Sequence, residues 1–210
     1  MFGIENYTGF VAAAILLNLT PGSDTLYILT RSIAQGSRAG LVSVAGIMSG
    51  CVIHVLAAAF GLSLILSTSA AAFFMVKWAG ALYLIFLGIR TLRTASPLFE
   101  GAHHRFSHND LMTIYRQGVV TNVLNPKVAL FFLSFLPQFI NPADAQGPLP
   151  FLVLGGTFLF TGTLWCLVLT RAATRMTQTL RKNRRISIWM QKLSGMVFIG
   201  FGVRLALDER

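Results

Sequence analysis

Long apolar runs separated by short polar segments dominate this chain. A helix needs about 20 mainly apolar residues to cross a bilayer, and six runs meet that requirement. The pattern predicts an all-α polytopic membrane protein with a single transmembrane domain over residues 1–210. The predicted spans have the approximate limits Tyr7–Leu29, Gly40–Leu66, Ala71–Leu92, Gly118–Ile140, Leu149–Thr170 and Ile188–Leu207.

Proline interrupts two of these runs, the first and the fourth. Pro21 follows Thr20 and Pro126 follows Asn125, so the breaks lie half a chain apart, each after a residue type that caps helices. Proline lacks a backbone N–H and clashes with the preceding turn. Inside a bilayer the freed backbone groups need partners in the protein or in a wet cavity. Matching breaks in two halves of a membrane chain indicate a transport site.

A polar segment divides the chain into two halves with three predicted spans each. Because three is an odd number, similar halves have to be inverted relative to each other in the membrane. We therefore predict two inverted three-helix repeats with broken first and fourth helices: repeat 1 over about 1–93, a cytoplasmic linker over about 94–116 and repeat 2 over about 117–210. The linker holds His103, His104 and His108. A solvated loop is favoured over a metal site there, since no carboxylate or thiol completes a ligand set, and we predict no cofactor.

The distribution of basic residues predicts the orientation of the spans. The chain has 17 Lys and Arg against 7 Asp and Glu, a formal net charge of +10. These residues concentrate in alternate connections, with Arg31 and Arg38 in the first and none in the second. Since the side richer in Lys and Arg is cytoplasmic, we expect both termini to be periplasmic. The same topology accounts for the positive charge, so we predict no nucleic-acid partner.

The residues around the two breaks are the candidates for substrate binding. Thr20 and Asn125 suit the N-cap of a half-helix that starts at the following proline. Each half-helix N-terminus carries about half a positive charge, so together the two would attract a carboxylate. An ordinary proline kink in each span is the alternative interpretation. The predicted substrate-binding residues are Asn18, Thr20, Pro21, Gly22, Asp24, Asn122, Asn125, Pro126 and Lys127.

Asp24, His54 and Lys127 are ionisable residues inside predicted spans, where charge is costly. An Asp or Lys near the centre of a membrane helix costs about 2.5–3.5 kcal/mol on insertion scales. Asp24 and Lys127 could offset this cost by pairing with each other, or Asp24 could take a proton or a substrate ammonium while Lys127 steers a carboxylate. His54 is either a packing residue or a proton relay, because histidine titrates near neutral pH. Asp24 and His54 are the candidates for proton coupling.

Several of these stretches resemble one family of membrane proteins. The residues from Leu19 to Leu26 read LTPGSDTL, those from Trp78 to Leu84 read WAGALYL, and the fourth span contains NPK followed by LPQF. In this order they are similar to the lysine exporter and homoserine/threonine resistance (LysE/RhtB) family, over nearly the whole chain. Ser23 stands where that family usually has a second proline. The resemblance implies a multi-pass protein of the bacterial inner membrane that exports amino acids with the proton gradient.

The function expected from these features is secondary active export of amino acids or related small zwitterions by alternating access. The alternative is a channel for small cations or metabolites, which the few, unpatterned ionisable residues in the spans disfavour. We predict no enzyme, since the chain lacks HExxH, GxSxG and GxxxxGK[ST] motifs. The expected partners are the amino acid, protons and the lipid bilayer, and the glycine-rich second span would permit a homodimer.

Overall fold

The computed structural model of this chain describes residues 2–62, 110–141 and 147–175 continuously, with isolated positions between 74 and 93 and between 188 and 207. Two π-helices and a short 3₁₀ helix continue the α-helices. The α-helices of this part are α1 (Tyr7–Leu19), α2 (Ser23–Ala57), α3 (Leu111–Val123), α4 (Pro126–Leu130) and α5 (Leu149–Arg175). The π-helix Ala58–Leu62 extends α2, while the π-helix Phe131–Phe135 and the 3₁₀ helix Leu136–Phe139 extend α4.

The described helices include segments that can cross a membrane. By length and composition, Ser23–Gly61 and Leu149–Arg175 each qualify as a span. Leu111–Val123 and Pro126–Phe139 give a third if this pair, bent by 45° at its break, is one span. The prediction of a helical membrane protein is therefore confirmed. The six-helix arrangement of inverted repeats stays a prediction, because the third and sixth predicted spans lie outside the continuously described residues.

α2 turns back on itself at Gly36. This glycine has φ +83° and ψ −178°, a backbone conformation that side chains disfavour. A Cβ at Gly40 would touch the side chain of Ser32, whereas eight residues along a straight helix rise about 12 Å. The two arms, 23–35 and 37–57, therefore pack against each other. This turn separates the first two predicted spans, so Ser23–Gly61, although long and apolar enough for one span, is two arms rather than one straight helix. Most of the predicted connection is helical.

Arg31, which the sequence placed in that connection, is a helical residue in the structure. It lies on the first arm of α2 and is 2% exposed. Its guanidinium stacks over Tyr27, and its Nη2 donates a 2.5 Å hydrogen bond to Gln117 Oε1 on α3. The interior of the helix pair therefore takes up this cation, rather than the surface.

The first and fourth predicted spans run antiparallel, and the break at Pro21 lies beside the break at Pro126. At one end the backbones of Ile4 and Ile140 form an antiparallel bridge, and Glu5 N donates to Phe139 O at 2.8 Å. Beyond the breaks, in the other direction, the Tyr27 hydroxyl donates to a carbonyl oxygen of α3 at 2.7 Å. The start of one span therefore lies beside the end of the other.

The limits of the fourth predicted span need a correction. α3 begins at Leu111, seven residues before the predicted start at Gly118. The half-helices α1 and α3 then have 13 residues each, about 20 Å of rise before either break. α5 starts at Leu149 as predicted and continues past the predicted end at Thr170 to Arg175.

Phenylalanine side chains fill the space between α1 and the segment that follows the second break. Phe131 contacts Phe10 and Phe158, with ring centroids 5.9 and 4.8 Å apart. Phe135 and Phe139 continue this cluster at 5.2 Å. All of these rings are buried, and such tilted and edge-to-face pairs are favourable beyond the area that they bury. The cluster ties α1 to the segment after the second break and to α5.

α2 and α3 approach closely at a pair of glycines. A Cβ added at Gly46 would lie 3.1 Å from Gly118 Cα and nearer still to the carbonyl oxygen of Tyr115. Backbone atoms cannot move aside as a flexible side-chain tip can. The glycines of the second predicted span therefore allow close packing between two helices of this chain.

Gly46→Ala should destabilise the protein although alanine favours helices. The added methyl group meets backbone on α3, and overpacking of this kind costs about 1–3 kcal/mol. Gly156→Ala on α5 is the matched control, because nothing lies within 4 Å of its Cβ position. Thermal unfolding of both variants in detergent would measure the difference. An equal midpoint for the two variants would contradict the packing.

Candidate functional site

The first break ends one helix before it begins another. Thr20 is the C-cap of α1: its N–H donates to the carbonyl oxygens of Leu16 and Leu17, both at 3.1 Å, and its Oγ1 donates to Leu16 O at 2.8 Å. The prediction that Thr20 N-caps a half-helix starting at Pro21 is therefore wrong. The threonine hydroxyl bonds back to the preceding turn, and α2 starts only after Gly22, its N-cap residue.

The second break has the predicted local structure. Asn125 is the N-cap of α4, with its Oδ1 accepting a 3.0 Å hydrogen bond from the backbone N of Lys127. Pro126 occupies the first helical position, where the missing N–H costs nothing. The two breaks thus differ, since one is closed by a C-cap and the other by an N-cap.

Lys127 supplies donors to the carbonyl groups that the first break frees. Its Nζ donates to Thr20 O at 2.9 Å and to Leu17 O at 3.3 Å. A cation at this position also meets the negative end of the α1 dipole. The side chain is 8% exposed, and Gly22 lies against it, because a Cβ there would sit 3.3 Å from Nζ. An ammonium has three N–H donors, so one remains for a ligand.

Asp24 occupies the positive end of the helix that restarts. It lies in the first turn of α2, where a carboxylate interacts favourably with the helix dipole. Its Oδ2 accepts a 2.8 Å hydrogen bond from Asn122 Nδ2 on α3. The predicted attraction of that helix end for a carboxylate is thus met by a residue of the chain itself. Asp24 and Lys127 each rely on a helix end and polar groups rather than on each other alone.

Asn122 joins the carboxylate to a histidine. Its backbone carbonyl oxygen lies 3.1 Å from His54 Nε2. A carbonyl only accepts, so Nε2 carries the hydrogen and Nδ1 is the nitrogen open to a proton. The His54 ring stacks on Phe132, with centroids 6.1 Å apart and planes at 14°. A chain of two hydrogen bonds, in which Asn122 is the middle member, therefore connects His54 to Asp24.

A cavity opens where these elements meet. Its volume is about 30 Å³, and four predicted residues line it: Asn18, Asp24, Asn122 and Lys127. The other predicted binding residues, Thr20, Pro21, Gly22, Asn125 and Pro126, form the backbone breaks around it but do not line it. His54 likewise lies behind the cavity, next to Asn122.

The sequence did not reveal the wall that α5 contributes. Trp165 and Cys166 line the cavity, and Asn18 Nδ2 donates to Thr161 Oγ1 at 3.1 Å. α5 is a regular apolar helix without a break or a charge in its centre, so no local signal marks it. The other lining residues that the sequence did not single out include Thr25, Met48, Cys51, Val128 and Phe158.

Metal-ligating groups do not cluster in the described part of the chain. There, no group of three or more His, Cys, Asp or Glu side chains could hold an ion. The linker residues His103, His104 and His108 lie outside the described residues.

The sequence is similar to those of known membrane proteins. The profile of the "LysE type translocator" family matches residues 15–209. A leucine efflux protein of Enterobacter sp. (strain 638) is 29% identical over 205 residues, which cover 98% of this chain and 97% of the relative. An uncharacterized membrane protein of Vibrio cholerae is 32% identical over 97% of both chains, and one of Pseudomonas aeruginosa is 30% identical over 97% of this chain and 96% of its own. No solved structure matches the chain.

Asn125→Ala should lower the stability of the second break. Loss of the N-cap acceptor leaves the Lys127 N–H without its partner, at a cost of about 1 kcal/mol. Asn125→Ser is the matched control, because serine also caps helices. Thermal unfolding in detergent measures both variants. A stability of Asn125→Ala equal to that of the parent protein would show that the cap contributes nothing.

Proposed function

Because the chain belongs to the LysE family of translocators, we propose that it is a secondary active exporter of amino acids or related small zwitterions. One observation carries the proposal: a carboxylate and an ammonium group, Asp24 and Lys127, line one cavity beside two helix breaks. An amino acid carries the complementary pair of charges. A relative named as a leucine efflux protein supports the same class of substrate.

Asp24 would receive the substrate ammonium, and Lys127 the substrate carboxylate. Asp24 is partly exposed and uses Asn122 as a donor, which leaves acceptor positions on its oxygens. Lys127 uses two of its three donors on carbonyl oxygens. Buried charges are costly when unpaired, so a zwitterion bound between them is favoured over water or a singly charged solute.

Transport would proceed by alternating access, with repeat 1 (about 1–93) rocking against repeat 2 (about 117–210) around the cavity. Lys127 belongs to the second half and holds the end of α1 in the first half. A substrate carboxylate competes with those carbonyl oxygens for the ammonium, so binding loosens the contact between the halves. The buried phenylalanine cluster around Phe131 would close the cavity on the side where the N-terminus lies. This cluster has to open before the substrate is released.

Proton coupling would use the connection between His54 and Asp24. A proton on His54 Nδ1 adds a positive charge next to Asn122, and Asn122 holds Asp24. The resulting pull on the carboxylate weakens its hold on the substrate ammonium. In the proposed orientation the protein lies in the bacterial inner membrane with both termini periplasmic, since the basic connections belong on the cytoplasmic side. A homodimer is compatible with this arrangement.

Lys127→Ala should abolish amino-acid efflux while protein remains in the membrane. Truncating one member of a buried, hydrogen-bonded charged set costs about 2–5 kcal/mol, on the order of a hundredfold in binding. Cells loaded with dipeptides, which release single amino acids inside, give the efflux rate, and blotting of membranes gives the amount of protein. Lys192→Ala is the control, because it removes an equal charge from an exposed lysine. Efflux by Lys127→Ala at the rate of the parent protein would refute the site.

His54→Gln should separate transport from the proton gradient. Glutamine keeps an N–H donor for the backbone carbonyl oxygen of Asn122 but cannot take a proton near neutral pH. In proteoliposomes we expect counterflow of the amino acid to persist, while efflux driven by a pH gradient falls to the level without a gradient. Saturable counterflow also distinguishes a carrier from a channel. A pH-driven rate unchanged from that of the parent protein would exclude His54 from coupling.

A further inference from the structure

We propose that Trp165 binds the substrate directly, its indole N–H donating to the carboxylate of an amino acid with an uncharged, apolar side chain; this rests on the proposed function. Trp165 lies on α5 and lines the cavity. Its Nε1 is buried and has no hydrogen-bond partner among the described residues. A buried donor without a partner is costly, so a ligand that accepts from it gains affinity.

A second unpartnered atom belongs to a residue of the same lining. Asn122 also lines the cavity, is 2% exposed, and its Oδ1 has no hydrogen-bond partner within the described segments. An indole N–H only donates, and an amide oxygen only accepts. A zwitterion satisfies both at once, with its carboxylate at Trp165 and Lys127 and its ammonium at Asn122 and Asp24. These two unpartnered groups thus match the main chain of an α-amino acid.

The rest of the cavity wall selects the side chain. Among the described residues, Asp24 and Lys127 are the charged members of its lining, and the two ends of the zwitterion would occupy both. A third charge on the substrate would lie in the cavity without a counter-charge, which is strongly unfavourable. The wall opposite such a side chain is apolar and contains two thiols and a thioether. It comprises Ile47, Met48, Cys51, Val128, Phe158 and Cys166. The apolar side chains of leucine and methionine match this chemistry, and the charged side chains of lysine and glutamate do not.

The test uses the full chain in proteoliposomes with radiolabelled leucine as the probe. Trp165→Phe keeps an aromatic ring and removes only the donor. We expect the KM for leucine to rise about tenfold or more, as for loss of a hydrogen bond to a charged group, with little change in maximal rate. Isoamylamine, which is leucine without its carboxylate, should inhibit the parent protein and Trp165→Phe equally. Weakening of leucine and isoamylamine alike would assign Trp165 a structural role and overturn the proposal.

Unlabelled amino acids as competitors test the substrate class. Leucine and methionine should displace labelled leucine at concentrations about tenfold lower than lysine or glutamate. Equal competition by lysine or glutamate would overturn the apolar selectivity while leaving the proposed export intact. An absence of saturable movement of any amino acid by the parent protein would overturn the proposed function itself. Thermal unfolding of Trp165→Phe within experimental error of the parent protein confirms that the ring substitution preserves the fold.

Discussion

The carbonyl groups at the end of α1 impose the constraint on which the rest of the site depends. A helix that ends inside a membrane leaves carbonyl oxygens that lipid cannot hydrogen-bond. Lys127 reaches across from the other half of the chain and donates to two of them, at Leu17 and Thr20. The cation and the open helix end each lower the cost of burying the other. This contact brings the second half against the first, and the antiparallel pairing of the two broken segments places it beside Asp24.

The helical class and the two interruptions could be predicted from local chemistry, because apolar length and proline act over a few residues. The cap at Asn125 followed for the same reason. Thr20 was assigned to the wrong helix, since its hydroxyl can bond forward as an N-cap or back to a carbonyl, and only the packing of Lys127 decides. The early start of α3 was missed because Arg116 and Gln117 interrupt its apolar pattern, while contacts with α2 keep the helix intact.

The part of the cavity wall that α5 contributes could not be predicted from local sequence. Trp165 and Thr161 gain their roles from which helix they face, and that depends on the packing of elements far apart in the chain. Within the helix itself they are ordinary members of an apolar span. Charged residues indicate a site in the sequence because burying them in a membrane span costs free energy. Lining residues that insert into the membrane without such a cost cannot be recognised from the hydropathy pattern.

Gly22 has a consequence for how this sequence can evolve. Its missing side chain leaves the space in which the Lys127 ammonium sits, 3.3 Å from where a Cβ would be. A side chain at position 22 would require the ammonium to shift by a few tenths of an ångström from its place at the helix end. Across homologous sequences, a glycine at the position of Gly22 and a lysine at the position of Lys127 should therefore occur together. Lineages that replace the lysine with a shorter residue should be free to accept alanine or serine in place of the glycine.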